Sequence, residues 1–183
     1  MDIFETSIKE ILIITPKVFK DERGYFLESF RKKVFNDSGL ELDFVQDNIS
    51  CSKKNTIRGL HYQAGEFAQG KLCQVIYGRV MDVAVDIRFG SPTFGKYITS
   101  ELSDENHELI WIPAGFAHGF SVLSDEAIFH YKCTNYYSKE HERSILFSDK
   151  DLKIDWNVIE PLVSPKDLEA TPFRNIEKDF SYP

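Results

Sequence analysis

Short runs in which apolar and polar residues alternate recur along most of the chain, about every eight to twelve residues. The runs are ILIIT, GYFLESF, FVQDNISCS, TIRGLHYQ, KLCQVIYG, RVMDVAVDIR, KYITSELS, HELIWIP, FAHGFSVL and AIFHYKCTNYY. Alternation over such lengths is typical of half-buried strands, and this spacing is typical of a sandwich or barrel. The pattern therefore predicts an all-β fold of jelly-roll type.

The alternation is clearest in the run MDVAVDI. One face carries Met81, Val83, Val85 and Ile87, and the other carries Asp82, Ala84 and Asp86. A pair of carboxylates on one strand face raises the possibility of a catalytic dyad. Their regular alternation with alanine instead favours a face that meets solvent or another surface, so we assign Asp82 and Asp86 no catalytic role.

Helical signals are few. The run RKKVFNDSG predicts a short helix that ends at Gly39, and SPKDLEAT predicts another, with Ser164 as its cap and Pro165 at its first position. From about residue 145 the sequence is irregular and contains prolines, which indicates a segment wrapped over the outside of the sheets. Since no repeat or linker interrupts the chain, we expect one domain over residues 1–183.

Charge and cysteine content narrow the function classes. The net charge of -7 opposes bulk attraction to nucleic acid or an anionic membrane, although basic residues in one cleft would still hold a small anion. The three cysteines, Cys51, Cys73 and Cys133, form no CxxC pair, and we expect them to be reduced, buried and inert. No signal-peptide pattern or long apolar run is present, so a cytoplasmic location is expected.

The run WIPAGFAHGF has the order P-x-G-x-x-H-G, which resembles the second motif of the cupin jelly rolls. Alternation places His118 between Phe116 and Phe120 on one strand face. Taken alone, such a histidine is more often a core residue hydrogen-bonded to backbone than a ligand.

Many cupins bind a metal through an H-x-H pair, a glutamate and this later histidine. The corresponding positions here are His61, Gln63 and Glu66, so a poor ligand replaces one histidine. The sequence therefore favours a protein that needs no metal and no other cofactor.

A more specific resemblance covers about residues 15 to 170. The motifs DERGYFLESF, FVQDN, RGLHYQ, QGKL, VDIRFGSPTFGKY, WIPAGFAHGF, YKCTNYY and SPKD, in this order and spacing, are similar to those of the dTDP-4-dehydrorhamnose 3,5-epimerase family. These cupin-type enzymes of dTDP-L-rhamnose biosynthesis act on a nucleotide-linked 4-keto-6-deoxy sugar. The resemblance implies a dTDP-sugar isomerase that uses neither redox cofactor nor metal, and a homodimer that exchanges N-terminal strands.

The resemblance also implies roles for individual residues. His61 becomes the catalytic base, Asp167 its carboxylate partner and Tyr131 the acid on the far side of the sugar. Lys71 becomes a cation that stabilises the developing enolate charge, and His118 a further substrate-binding residue near the enolate oxygen. The implied substrate-binding residues are Arg23, Glu28, Gln46, Asp47, Asn48, Arg58, Glu142 and Lys166. Without the family resemblance, the sequence alone would indicate ordinary structural roles for three of these residues. Asp167 would be a solvated residue in the first turn of a helix, Tyr131 would be a core residue, and Lys71 would be a solvated lysine at the end of a strand.

Arg58 and His61 occupy one strand with Gly59 between them. In a regular strand their side chains point to opposite faces. A bulge at Gly59 would break the alternation and bring both to one cavity, with the arginine at the diphosphate and the histidine at the sugar. Alternatively, the strand is regular and Arg58 acts from the rim.

Three other functions stay open at this point: an epimerase that inverts a single carbon or acts on another nucleotide sugar, a metal-dependent cupin enzyme, and a non-enzymatic sugar-binding β domain. The remaining histidines, His107, His130 and His141, match no motif and are expected at the surface.

Overall fold

The computed structural model describes residues 1–183, and nearly all of its regular structure is β. Strands β1 to β14 are, in chain order, Asp2–Glu5, Leu12–Thr15, Val18–Asp21, Gly24–Leu27, Gln46–Lys53, Thr56–Gln63, Lys71–Tyr77, Arg79–Asp86, Tyr97–Ser103, Leu109–Ile112, Phe116–Val122, Glu126–Cys133, Glu142–Ser144 and Leu162–Val163. Helices α1 and α2 are Lys32–Asp37 and Pro165–Leu168, and two short 3-10 helices cover Gly65–Phe67 and Phe173–Asn175. None of the helices is long and apolar enough to cross a membrane.

The strands form two large sheets and one separate hairpin. The first sheet has the order β1-β2-β10-β7-β12-β5, and the second has the order β13-β6-β11-β8-β9 with β14 added in parallel to β6. Strands β3 and β4 pair only with each other. This architecture confirms the predicted all-β jelly-roll sandwich. The alternation pattern missed β1, β3, β13 and β14, which have two to four residues each.

Three apolar clusters hold the layers together. The largest contains 14 buried residues, among them Phe116, Phe120 and Phe129, and is contributed by both sheets. A second packs the C-terminal segment, through Leu152 and Trp156, against the second sheet. In a third cluster Phe35 of α1 packs with residues of the first sheet. Both predicted helices, including the Ser164 cap of α2, are confirmed.

The interpretation of Asp82 and Asp86 as lying on a solvated or interface face is wrong. Both carboxylates are fully buried, because β8 lies between β11 and β9 and is covered on both faces. Burial raises the pKa of Asp86, but hydrogen bonds from Arg88, Ser91 and Thr93 outweigh burial and hold that pKa below its usual value. Alternation identifies residues that share a face, but it does not show whether that face meets water.

Two smaller expectations are also corrected. Cys51 is exposed, whereas Cys73 and Cys133 are buried as predicted, and all three are free thiols. His130 is not a surface residue, because its side chain is only 15% exposed and its Nδ1 lies 2.9 Å from Nε2 of Gln74.

Candidate active site

A cavity of about 270 Å³ lies between the two sheets. Its polar lining consists of Asn48, Ser50, Arg58, His61, Lys71, His118 and Tyr131, and its apolar lining of Ile49, Phe120 and Phe129. A larger depression on the β3–β4 hairpin contains Arg23 but none of the residues expected to transfer protons. We take the smaller cavity as the candidate site because the titratable groups converge there.

The strand that carries Arg58 and His61 is bulged at Gly59. His61 lies opposite His118 of β11 and Arg58 lies opposite Phe120, so Gly59 and Leu60 together face Gly119 alone. The peptide bond between Gly59 and Leu60 is cis. Gly59 has a φ of 128°, and a Cβ at this position would lie 2.5 Å from the Cα of Gly119. Of the two alternatives that the sequence left open, the structure has the bulge, and both side chains line the cavity.

His61 is paired with Asp167 despite the 106 residues that separate them. The imidazole Nε2 lies 2.6 Å from Oδ1 of Asp167, which is 3% exposed. Strand β14 pairs with the first residues of β6 and leads directly into α2, so the carboxylate is delivered beside the histidine. Ser164 caps α2 by accepting a hydrogen bond from the Asp167 amide at 3.2 Å.

The charge of Asp167 is stabilised in this position. Burial raises the pKa of its carboxyl, but the hydrogen bond and charge of His61 outweigh burial and hold the pKa below its usual value. The carboxylate is therefore ionised at neutral pH, and it fixes the orientation of the imidazole. The interpretation of Asp167 as a solvated helix residue is wrong.

Tyr131 faces the cavity from the other sheet. It lies on β12 of the first sheet, whereas His61 lies on β6 of the second. Burial raises the pKa of its hydroxyl to about 12, so the phenol keeps its proton at neutral pH. Lys71 approaches the same ring, with Nζ 5.8 Å from the ring centroid. The cavity thus has a potential base on one wall and a potential acid on the other.

His118 forms a second histidine–carboxylate pair. Its Nε2 lies 2.8 Å from Oδ2 of Asp82, and both side chains are buried. The ring also stacks against Phe129, with centroids 6.0 Å apart. The partner of this histidine is therefore a carboxylate and not the backbone, and Asp82 fixes its orientation.

Two serines on β5 were not identified from the sequence. Ser52 accepts a hydrogen bond of 2.9 Å from Nε of Arg58, which orients the guanidinium. Ser50 lines the cavity, and its buried Oγ has no hydrogen-bond partner in the protein. The alternation pattern could have identified both serines, because it places positions 46, 48, 50 and 52 on one face of β5.

The remaining predicted residues lie around this cavity or away from it. Glu142 on β13 is ion-paired with Lys166, and its pKa is held low because that ion pair and the nearby His61 outweigh burial. Nε2 of Gln46 donates to Oδ1 of Asn48 at 3.1 Å. The Asp47 side chain instead points to the opposite face, where it pairs with Lys132 at 2.8 Å.

Arg23 and Glu28 do not line the cavity of their own chain. Arg23, at the turn of the β3–β4 hairpin, has an 85% exposed side chain that pairs with Asp21. Glu28 pairs with Arg31 at 2.6 Å. Both residues belong to the part of the chain that leaves the sandwich.

Two of the positions that bind metal in other cupins, His61 and His118, line the cavity, whereas Gln63 and Glu66 do not. His61 is bound to Asp167, while Oε1 of Gln63 accepts the amide of Ser138. Glu66 is exposed in the first 3-10 helix.

Comparison with known proteins gives a consistent result. Residues 5–175 match the family model described as dTDP-4-dehydrorhamnose 3,5-epimerase. A protein of that name from Shigella flexneri is 56% identical over 174 residues, which are 94% of this chain and 96% of the relative.

Solved structures agree with this match. The dTDP-6-deoxy-D-glucose-3,5-epimerase of Legionella pneumophila, solved with dTDP-4-keto-L-rhamnose, has a TM-score of 0.96 and 50% identity over 100% of this chain and 98% of the other. A 3'-monoepimerase from Streptomyces bikiniensis, solved with dTDP-quinovose, has a TM-score of 0.88 and 32% identity over 93% of this chain and 87% of the other.

Proposed function

The chain belongs to the dTDP-4-dehydrorhamnose 3,5-epimerase family, and on this premise we propose that it inverts carbons 3 and 5 of dTDP-4-dehydro-6-deoxy-D-glucose. The product is dTDP-4-dehydro-L-rhamnose. The observation that carries this proposal is the placement of the His61–Asp167 pair and Tyr131 on opposing sheets of one cavity. Epimerisation requires this arrangement, because a proton leaves one face of the carbon and another arrives at the opposite face.

The substrate supplies the acidity that this chemistry needs. Its carbonyl at carbon 4 acidifies the hydrogens on carbons 3 and 5, so either can be removed to give an enolate. His61 takes the proton, and the ionised Asp167 stabilises the imidazolium that results. Tyr131 then donates its proton from the other wall. Substrate and product are isomers, so the reaction involves no net oxidation or reduction.

The enolate oxygen carries the developing negative charge. Lys71 and His118 both line the cavity, where the Lys71 ammonium donates N–H groups to this oxygen and His118 contacts the substrate beside it. Asp82 holds the His118 ring through the bond of 2.8 Å. Because the enolate forms only during the reaction, donors fixed in advance in a buried cavity lower the barrier more than they strengthen substrate binding.

The diphosphate is assigned to the β5 side of the cavity. Arg58 offers a planar fork of donors, and Ser52 fixes its orientation. The unpartnered hydroxyl of Ser50 lies on the same face of β5 and can donate to a neighbouring phosphate oxygen. Asn48 and Gln46 continue this face toward the deoxythymidine, with Glu142 and Lys166 at the opposite edge. Asp47 would contact the nucleotide through its backbone, because its carboxylate points away.

Proton exchange in heavy water tests the reaction. We expect deuterium to enter at both carbons 3 and 5 of dTDP-4-dehydro-6-deoxy-D-glucose when the sugar protons are followed by NMR. Entry at a single carbon would identify a monoepimerase, the activity named for the 32% identical Streptomyces structure. Binding without any exchange would instead identify a non-enzymatic sugar-binding protein, and a requirement for added metal would favour a metal-dependent cupin enzyme.

The active protein is proposed to be a cytoplasmic homodimer. The β3–β4 hairpin pairs with no other strand, and Phe19, Tyr25 and Phe26 on it are 54%, 55% and 70% exposed. Arg23 on its turn is remote from its own cavity yet matches a substrate-binding position. A second copy would cover the aromatic side chains and receive Arg23 at its own site. Strand β1 pairs with β2 of its own chain, so the hairpin is the N-terminal element that we expect to be exchanged.

Mixing two inactive variants tests this arrangement. We expect His61→Ala and Arg23→Ala each to be poorly active alone. After the two are mixed, dissociated and reassociated, each mixed dimer has one site with both residues intact, so about a quarter of the parental activity should return. If Arg23 served its own chain, every site in the mixture would lack one residue and no activity would return. Mixing His61→Ala with Asp167→Asn is the matched control and should restore nothing.

A further inference from the structure

A second cluster of potential metal ligands lies behind the cavity wall. Cys73 of β7, Asp82 of β8 and His118 of β11 bring a thiol sulfur, a carboxylate oxygen and an imidazole nitrogen within 4.8 Å of one another. Cys73 and Asp82 are fully buried and His118 is 6% exposed. The three residues come from both sheets, so the cluster joins the two halves of the sandwich.

An independent observation indicates that one oxygen atom of this cluster lacks a hydrogen-bond partner. Asp82 uses Oδ2 to bind His118, but its Oδ1 is buried with no hydrogen-bond partner. A buried carboxylate oxygen without a partner is costly, and most such atoms in folded proteins are satisfied. A cation placed between Asp82 and the neighbouring sulfur would provide the missing interaction.

The donor set identifies the class of cation. Thiolate, imidazole and carboxylate ligands together suit Zn²⁺, which commonly takes three protein ligands and one open position. On binding, the Cys73 thiol would release its proton to solvent, and the resulting thiolate and the Asp82 carboxylate would balance the two positive charges within the buried site.

We propose that Cys73, Asp82 and His118 form a Zn²⁺ site whose occupation inhibits the enzyme. Zn²⁺ binding takes Nε2 of His118, the atom that Asp82 now binds, so the ring loses the contact that fixes it beside the enolate oxygen. The binding site stands independently of the proposed function, whereas the inhibition rests on it. This set shares only His118 with the positions that bind metal in other cupins, and Cys73 is the ligand that completes it.

The affinity is expected to fall below that of a structural zinc site. Three protein ligands are present instead of four, and Lys71, two residues before Cys73 on β7, points to the same face and repels a cation. Reversible inhibition by free Zn²⁺ is therefore the expected behaviour, not permanent occupation.

Spectroscopy with Co²⁺ tests the site without reference to activity. Co²⁺ adopts zinc geometries and gives a charge-transfer absorption when a thiolate binds it. We expect the parent protein to show this band and Zn²⁺ to abolish it by displacement. The band should be absent from Cys73→Val, which keeps a similar side-chain volume in the core, and present in Cys51→Ser and Cys133→Ala. A parent without the band, or a Cys73→Val protein that retains it, would overturn the site.

Melting temperature and inhibition complete the test. Zn²⁺ should raise the Tm of the parent and leave that of Cys73→Val unchanged, because a ligand stabilises only a protein that binds it. Zn²⁺ should also inhibit the parent reversibly, and Cys73→Val should require more than about tenfold higher Zn²⁺ for the same inhibition. Equal inhibition of both proteins would overturn the inhibitory role. If the proposed reaction were wrong, the Co²⁺ band and the Tm shift would still decide whether the site exists.

Discussion

His61→Ala is expected to lower turnover of dTDP-4-dehydro-6-deoxy-D-glucose by on the order of a hundredfold or more. The variant removes the imidazole that takes the proton and leaves Asp167 buried without its partner at 2.6 Å. Arg58, Asn48 and Ser50 remain in place, so binding of dTDP should change little. Steady-state kinetics and a dTDP binding titration measure the two effects separately.

Deuterium exchange provides a second measurement on the His61→Ala variant. If His61 is the base, exchange at carbons 3 and 5 should fall together with turnover, since both require proton removal. His130→Gln is the matched control, because it removes a histidine on the face that points away from the cavity and keeps a side-chain amide beside Gln74. Near-parental turnover in His61→Ala would reject the proposed base while leaving the fold unaffected.

The turnover of Asp167→Asn is expected to lie between that of His61→Ala and that of His130→Gln. The amide has a similar size at this position of α2 but does not carry the charge that stabilises the imidazolium. The variant therefore separates the role of that charge from the role of the histidine itself.

The parts of this site that follow from local periodicity were predictable from the sequence. Alternation along β12 places Phe129, Tyr131 and Cys133 inward, and the structure agrees. Gly59 between Arg58 and His61 indicated a bulge, because glycine permits the close approach that β6 makes to Gly119. Both inferences concern residues that are neighbours on one strand.

Contacts between distant parts of the chain were not predictable in this way. Asp167 reaches His61 only because β14 adds to β6, and a two-residue strand leaves almost no trace in the sequence. The burial of Asp82 depends on β8 having neighbours on both edges and cover on both faces, which no property of β8 itself reveals. The role of Asp167 came from the family resemblance, whereas the partner of His118 required the structure.

Tyr131→Phe is expected to separate proton removal from inversion. The variant lacks the acid on the first sheet but retains the His61–Asp167 pair on the second. His61 can still remove a proton, exchange it with solvent and return it to the same face of the carbon. We therefore expect epimerised product to fall by on the order of a hundredfold or more, while deuterium still enters the substrate with its configuration retained.

Tyr131→Phe changes little else in the protein, because it removes a single hydroxyl group and keeps the aromatic ring. The contacts of that ring with Phe129, 6.1 Å between centroids, and with Lys71 should persist, so the fold and the Tm should be close to those of the parent. The parental hydroxyl has a pKa of about 12, so its proton is available throughout the neutral range and the loss should not depend on pH there.

Each other outcome identifies a different arrangement of acid and base. If epimerisation continued at the parental rate, the second proton would come from Lys71, His118 or water, and Tyr131 would only line the wall. If exchange disappeared along with epimerisation, the hydroxyl would be needed to form the enolate and not to quench it. Exchange without inversion is expected only when the base and the acid lie on opposite walls, and it therefore tests the geometry on which the proposed mechanism depends.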